Sequence, residues 1–225
     1  MTLSFDMPFG SFIGLEGFEG AGKTTVARNL CKRLNNAGHA AEIGREPGTT
    51  AIGEAIRDIL KRDWDPEDSM CASTEALLFL SARAQFIRQF VRPRLECGIH
   101  VIADRFALST LAYQVAGRGL PFSRVWSAIK FATDGMLGDI TIILSVTPQV
   151  GLTRIMKSGD PLDRFEKGGD DFHRRVAMGY RKYARRFPGA VTIGTDDKTA
   201  EQVSDAVWDV VSAFLRDRRQ EERKS

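Results

Sequence analysis

One octapeptide constrains this chain more than any other feature. Gly17-Phe18-Glu19-Gly20-Ala21-Gly22-Lys23-Thr24 fits the pattern G-x-x-x-x-G-K-[ST]. At ordinary residue frequencies that pattern arises by chance in about one such chain in a hundred. Its surroundings sharpen it. The apolar run Phe12–Glu16 comes directly before, and helical spacing over Thr24–Leu34 directly after, which is the strand–loop–helix order such a loop requires. Glycines let the backbone curl until several N–H groups face one anion. The helix that follows adds the positive end of its dipole. Lys23 brings a mobile ammonium to the β- and γ-phosphates of a nucleotide, and the Thr24 hydroxyl can hold a magnesium ion bridging them. Gly17, Phe18, Glu19, Gly20, Ala21, Gly22, Lys23, Thr24 and Thr25 are therefore the candidate nucleotide-binding residues.

The rest of the chain is read around that loop. Five short apolar runs recur at wide intervals: Phe12–Glu16, Ala40–Gly44, His100–Asp104, Ile140–Val146 and Ala190–Gly194. Between them lie stretches of helical spacing: Thr24–Leu34, Ala51–Leu60, Ser73–Leu95, Val125–Leu137, Gln149–Met156, Phe172–Arg186 and Ala200–Arg216. In Ser73–Leu95 the residues Leu77, Leu80, Ala84 and Ile87 form one stripe. Strands alternating with helices predict an α/β fold of the P-loop NTPase type, a five-stranded parallel sheet with helices on both faces. No repeat and no linker rich in Pro, Gly or Ser divides residues 1–225, so one domain is expected, with a lid at about 152–171 and a charged tail at 216–225.

Composition excludes several classes. With 43% hydrophobic and 27% charged residues the chain has material for a core and is no disordered or fibrous sequence. The net charge is +3, of which the tail supplies two, so a duplex-binding surface is not expected. Cys31, Cys71 and Cys97 lack paired spacing, and His39, His100 and His173 lack ligand spacing; structural or surface roles are expected for all six. No run of 18 apolar residues or secretory signal is present, and a reducing cytoplasm is the expected location.

A phosphate cradle leaves the fate of the phosphate open. A kinase acting on a small acceptor, a nucleotide-driven switch and a catalytically inactive sensor all compete. The Asn-Lys-x-Asp and Asp-x-x-Gly patterns of guanine-binding switches are missing, which weakens the second. Two further segments end at the carboxyl edge of expected strands, where open parallel sheets bind ligands. They are Arg45-Glu46-Pro47-Gly48-Thr49-Thr50 and Asp104-Arg105-Phe106, the latter followed by Ser109-Thr110-Leu111-Ala112-Tyr113-Gln114. An Asp there can order magnesium, and an adjacent Arg can grip a phosphate through two parallel hydrogen bonds. A structural Asp–Arg pair explains the same spacing.

These motifs, in this order, resemble the thymidylate kinases. The matching elements are Glu16-Gly17 before the P-loop; Arg45 to Thr50, with Thr49 in place of a second glycine; Leu77-Leu78-Phe79 with Arg83; Asp104-Arg105; Tyr113-Gln114; and Asp163-Arg164-Phe165-Glu166. The resemblance implies phosphorylation of dTMP to dTDP with Mg-ATP, ATP and Mg2+ as cosubstrate and cofactor, and a homodimer. Another P-loop nucleotide or deoxynucleoside kinase is the alternative. It further implies that Phe79 stacks on the thymine, Arg83 donates to a base carbonyl, and Thr110 and Gln114 meet the base edge. Tyr113 would lie under the sugar, and Arg45 and Arg105 would hold the acceptor phosphate beside Pro47. Asp104 and Thr24 would serve magnesium, with Glu16 in support. The catalytic set so implied is Lys23, Asp104, Arg105, Arg154 and Arg164.

The stretch LTRIMKSGDPLDRFEKGGDD, residues 152–171, has Gly159, Pro161 and Gly168-Gly169 interrupting helical spacing, so it can move. Its Arg154, Lys157 and Arg164 can answer the charge of a transferring phosphoryl group. With Glu19 rather than Arg in the P-loop, the chain resembles the subgroup that supplies this cation from the lid. Arg154 and Arg164 are preferred over Lys157, because a guanidinium offers a planar fork. Gly194-Thr195-Asp196-Asp197 is read either as an adenine-facing loop or as a turn whose Asp caps the next helix.

Overall fold

Hydrophobic β-branched runs bounded by polar turns give five strands, and a computed structural model of the chain shows all five; it describes residues 9–159 and 161–222. They are β1 (Phe12–Gly17), β2 (Ala41–Arg45), β3 (His100–Asp104), β4 (Ile140–Ser145) and β5 (Val191–Gly194). All pairings are parallel, in the order β2-β3-β1-β4-β5. Every residue of β1 is buried, as a central strand covered on both faces requires. β2 is an edge strand with only two of its five residues buried, which is why its apolar signal in the sequence is weak.

The helices are α1 (Lys23–Asn36), α2 (Ala51–Lys61), α3 (Ala72–Phe86), α4 (Arg92–Glu96), α5 (Ala107–Thr110), α6 (Phe122–Thr133), α7 (Pro148–Ser158), α8 (Asp170–Tyr183) and α9 (Ala200–Glu222). Helices α1 and α9 pack together on one side of the sheet. Phe12 reaches from β1 to Phe106 with ring centroids 4.8 Å apart, and Phe122 stacks on Tyr183 between α6 and α8.

Several boundaries differ from the sequence expectation, each for a physical reason. The single helix expected over Ser73–Leu95 is interrupted by a π-helical turn at Ile87–Val91 before α4. Pro93 has no N–H for the carbonyl of Gln89, and the wider turn accommodates its ring. Of the expected stripe, Leu80 and Ile87 are buried and Ala84 packs against the core, but Leu77 is 61% exposed, and Glu75, Ala76, Ala82, Arg83 and Phe86 are also buried. Helix α5 and the π-helical turn after it, Leu111–Gly117, were not expected as a helix, because Ala107, Leu108, Leu111, Ala112 and Val115 are buried all round and leave no amphipathic signature. Helix α9 continues through Arg216 to Glu222; the remainder of the charged tail lies outside the described residues. Its N-terminus is capped by Thr199, not by an Asp. Thr199 Oγ1 accepts from Gln202 N at 3.2 Å and Gln202 Oε1 accepts from Thr199 N at 2.9 Å. No helix is long and apolar enough to cross a membrane among the described residues.

Candidate active site

The sheet register brings three strand ends together. Leu15 and Arg45 both align with Asp104, so the P-loop, Arg45 and the Asp104–Arg105 pair emerge side by side at one carboxyl edge. Gly17 takes φ 142° and Gly20 φ 71°, values that L side chains rarely adopt. A Cβ on Gly20 would lie 2.2 Å from the carbonyl oxygen of Gly151 on α7, so the P-loop and the lid-bearing helix touch backbone to backbone. Phe18 and Ala21 contribute main chain, their side chains being 2% and 3% exposed. Phe18 packs in the interior with its ring on His173. Thr25 is exposed on α1.

Lys23 is buried, and Nζ donates to the carbonyls of Gly17 (3.0 Å) and Phe18 (2.8 Å). Burial, and then the Arg105 charge, lower its pKa to about 8. Thr24 Oγ1 donates to Asp104 Oδ2 at 2.6 Å. A hydroxyl and a carboxylate converging at a phosphate cradle are the hard oxygen donors that Mg2+ prefers, so Thr24 and Asp104 fit that ion. Arg105 takes φ 74°, in the left-handed region, where a side chain costs roughly 1–2 kcal/mol. Its guanidinium is fixed by Gly17 O (3.1 Å), Ser109 Oγ (3.1 Å), the Tyr180 hydroxyl (2.8 Å) and Glu19 Oε1 (3.1 Å). Glu19 also accepts from the Tyr113 hydroxyl.

A cleft of about 330 Å³ runs from this cluster toward α3. At one end it is lined by Gly20, Lys23, Thr24 and Asp104, and at the other by Phe79, Arg83, Thr110, Tyr113 and Gln114. Glu19, Arg45, Pro47 and Arg105 line the space between. Arg83 is 2% exposed, with Nε on Glu46 Oε2 (2.7 Å), Nη1 on Thr110 Oγ1 (2.7 Å) and Nη2 on Phe106 O (3.0 Å). Burial raises the pKa of Glu46 to about 7 against the attraction of Arg83, and its Oε1 is buried without a hydrogen-bond partner. Arg45 is paired with Glu54 at 2.9 Å. Thr49, where the resembling sequences have glycine, sits at φ 69°. Its hydroxyl accepts from Arg45 N at 2.7 Å and donates to Arg45 O at 3.1 Å, offsetting part of that strain.

Some expected residues lie elsewhere. Glu16 is 1% exposed and does not line the cleft; it accepts from Phe106 N, Ser109 N and Ser109 Oγ, and so anchors the backbone that carries Arg105. Burial raises its pKa. Arg154 does not line the cleft; it donates to the carbonyls of Gly20 (3.3 Å), Thr195 (2.7 Å) and Asp196 (3.3 Å) beside the P-loop. Lys157 is exposed near the end of α7. The expectation that Arg164 faces the transferring group is not met. Its guanidinium pairs with buried Glu75 at 2.8 Å, donates to Leu60 O and lies 4.3 Å over the Phe165 ring. A buried carboxylate demands a cation, and this demand draws Arg164 away from the P-loop. Residues 152–158 of the expected lid are helical, ending at Gly159 in the left-handed conformation. Asp196 holds Thr147 N at 2.9 Å rather than capping α9.

Arg57, Phe165 and Glu75, in or behind the cleft, had been given no role by the sequence. Arg57 donates to Pro47 O at 3.0 Å and adds a cation beside Arg45. Phe165 packs against Phe79 with centroids 5.7 Å apart. Glu75 lies behind Gln114, which donates to it at 2.9 Å. The spacing Glu75, Phe79, Arg83 places all three on one face of α3, but two charged residues on a helix face give no sign in the sequence that the face is covered.

A thymidylate kinase family model matches residues 15–207 of the chain. The chain is 39% identical to a thymidylate kinase of Deinococcus radiodurans over 92% of its length and 98% of that protein's. It is 40% identical to that of Thermomicrobium roseum, over 91% and 96% of the two chains. For the thymidylate kinase of Hahella chejuensis the identity is 36%, over 93% and 99%.

Proposed function

The chain belongs to the thymidylate kinase family, and from that premise we propose that it passes the γ-phosphoryl group of ATP to the phosphate of dTMP. The bond between the γ-phosphorus and the β,γ-bridging oxygen breaks, a bond to a dTMP phosphate oxygen forms, and ADP and dTDP leave. The observation that carries this reading is the single cleft with a phosphate cradle at one end and a base-sized, aromatic and hydrogen-bonding pocket at the other.

The acceptor oxygen is already ionised, so the work of the protein is positioning and charge neutralisation rather than proton removal. ATP lies with its β- and γ-phosphates on the P-loop backbone and Lys23. Thr24 and Asp104 would hold Mg2+, and the ion would supply neutralisation of phosphate charge. Arg45, Arg57 and Arg105 hold the dTMP phosphate, and the network of Glu19, Ser109 and Tyr180 keeps the Arg105 fork aimed. Phe79 faces the thymine, Arg83 and Gln114 address its polar edge, and Tyr113 packs under the sugar. Arg154, already against the P-loop at Gly20, is the lid-helix cation for the transferring group. Residues 1–225 act as one kinase domain in the cytoplasm. A homodimer would cover the exposed side chains of Leu77 on α3 and Phe131 on α6, helices that pack on each other.

Coupled measurement of ADP release, with Mg-ATP and a panel of nucleosides and monophosphates, tests the reading. We expect dTMP to give the highest kcat/KM and release to depend on acceptor. Slow release independent of any acceptor, or a preference for a nucleoside, would contradict it.

A further inference from the structure

Glu75 sits on α3, one turn before Phe79 and two before Arg83, and is 1% exposed. Its Oε1 accepts from Gln114 Nε2 at 2.9 Å and Arg118 Nε at 3.2 Å. Its Oε2 accepts from Arg118 Nη2 at 3.2 Å and pairs with Arg164 Nη2 at 2.8 Å. The donors come from the π-helical turn after α5, the residue that ends it, and the loop between α7 and α8. A carboxylate offers lone pairs and no protons to these partners, so the end of the Gln114 amide that faces Glu75 must be the NH2. The amide oxygen is then the polar atom Gln114 keeps for the cleft it lines.

That polarity selects a base. The N3 of thymine carries a proton and satisfies an amide oxygen, whereas the N3 of cytosine carries a lone pair and would oppose it. We infer that Glu75 is a positioning residue for nucleobase choice: it locks the Gln114 amide with its oxygen toward the base and, through Arg164, fastens the loop between α7 and α8 to the same point. The inference rests on the dTMP reading above.

Glu75→Gln tests it. Oε2 meets two guanidinium N–H groups, one from Arg118 and one from Arg164, whereas Oε1 meets the Gln114 amide and the longer Arg118 Nε contact, so the new carboxamide turns its oxygen to the Oε2 side and its NH2 toward Gln114. Gln114 must then accept, which rotates its own NH2 into the cleft. We expect KM for dTMP to rise about 10- to 100-fold, with kcat falling less than KM rises, and the kcat/KM preference for dTMP over dCMP to drop by at least about tenfold. In a Gln114→Met background the same change should leave that preference unaltered, because the amide it acts through is gone. Glu75→Asp keeps an acceptor-only side chain, serves where Glu75→Gln does not fold, and should raise KM several-fold while retaining the preference. A folded Glu75→Gln with unchanged preference, a shift that persists in Gln114→Met, or Glu75→Asp with unchanged KM would overturn the inference. Wild-type protein without a dTMP preference would instead defeat the underlying reading, before any variant is made.

Discussion

Among the described residues Lys23 has carbonyl oxygens, not a counter-ion, at hydrogen-bonding distance, and burial with the neighbouring Arg105 charge leaves its pKa at about 8. Polyphosphate arriving at the loop favours the ammonium and pulls the proton back. Calorimetric titration of ATP at about pH 8.5, in buffers of different ionisation enthalpy, should therefore reveal net proton uptake on binding, absent in Lys23→Met. Equal uptake by both proteins would remove Lys23 from the phosphate site. Arg105→Lys belongs to the same scale: it keeps a charge but loses the fork that meets Glu19, Tyr180 and Gly17 together. It should raise the KM for dTMP about tenfold or more in steady-state assays. Residues of this kind were legible in the sequence, because spacing within the P-loop and the Asp104-Arg105 pair fixes their neighbours. Glu75 and Arg57 were not, since a charged residue on a helix reads as a solvated face until the fold shows what covers it. Arg164 was legible as a cation, but its partner Glu75 is 89 residues away in sequence and decides where it points.

Among the elements, α7 fixes the distance between the P-loop and the lid. Gly151 lies so close that a Cβ there would come within 2.4 Å of Glu19 O. Gly151→Ala must push α7 or the loop aside, a strain of about 1–3 kcal/mol. We expect a lower Tm in thermal unfolding and an increase of about tenfold or more in the KM for ATP, with dTMP binding by calorimetry changed less. A variant as stable and active as wild type would show that the two elements are not coupled. Element type was mostly evident from periodicity, and the boundaries that shifted have local causes. Pro93 forces the π-helical turn before α4, and Thr199 with Gln202 builds the cap that one of two readings of the preceding loop had given to an Asp. The α5 segment escaped notice because, buried on every side, it has no polar face to mark its period.

At the scale of the whole molecule, the edge of the sheet opposite the site carries a pH-sensitive joint. His100 Nδ1 accepts from Ser11 N at 2.9 Å, while His39, Arg218 and Arg219 surround it and Asp139 is the acid opposing them. Burial, and then the His39 charge, lower its pKa to about 4. The unfolded chain takes up this proton below about pH 6.5, but the folded chain does not until about 4. Stability from this group is thus present above pH 6.5 and is lost as pH falls toward 4. Glu46 works the other way: its raised pKa, about 7, makes the folded chain hold a proton that the unfolded chain has released, so its contribution declines as pH rises from about 4.5 to 7. His100→Gln should therefore lose less Tm than wild type between pH 6.5 and 4.5; an equal loss would assign the acid sensitivity elsewhere. The parallel sheet was readable from the alternation of apolar runs and helices, but the convergence of Arg45, Asp104 and the P-loop follows from strand order, which no local pattern records. Everything in the proposed chemistry depends on donor and acceptor sharing that one cleft. A crystal structure with dTMP and a non-hydrolysable ATP analogue tests this most directly: thymine should lie against Phe79 and Arg83, with its phosphate between Arg45 and Arg105 facing the γ-phosphate over Lys23. An empty cleft beside Phe79, or dTMP bound elsewhere, would contradict the account.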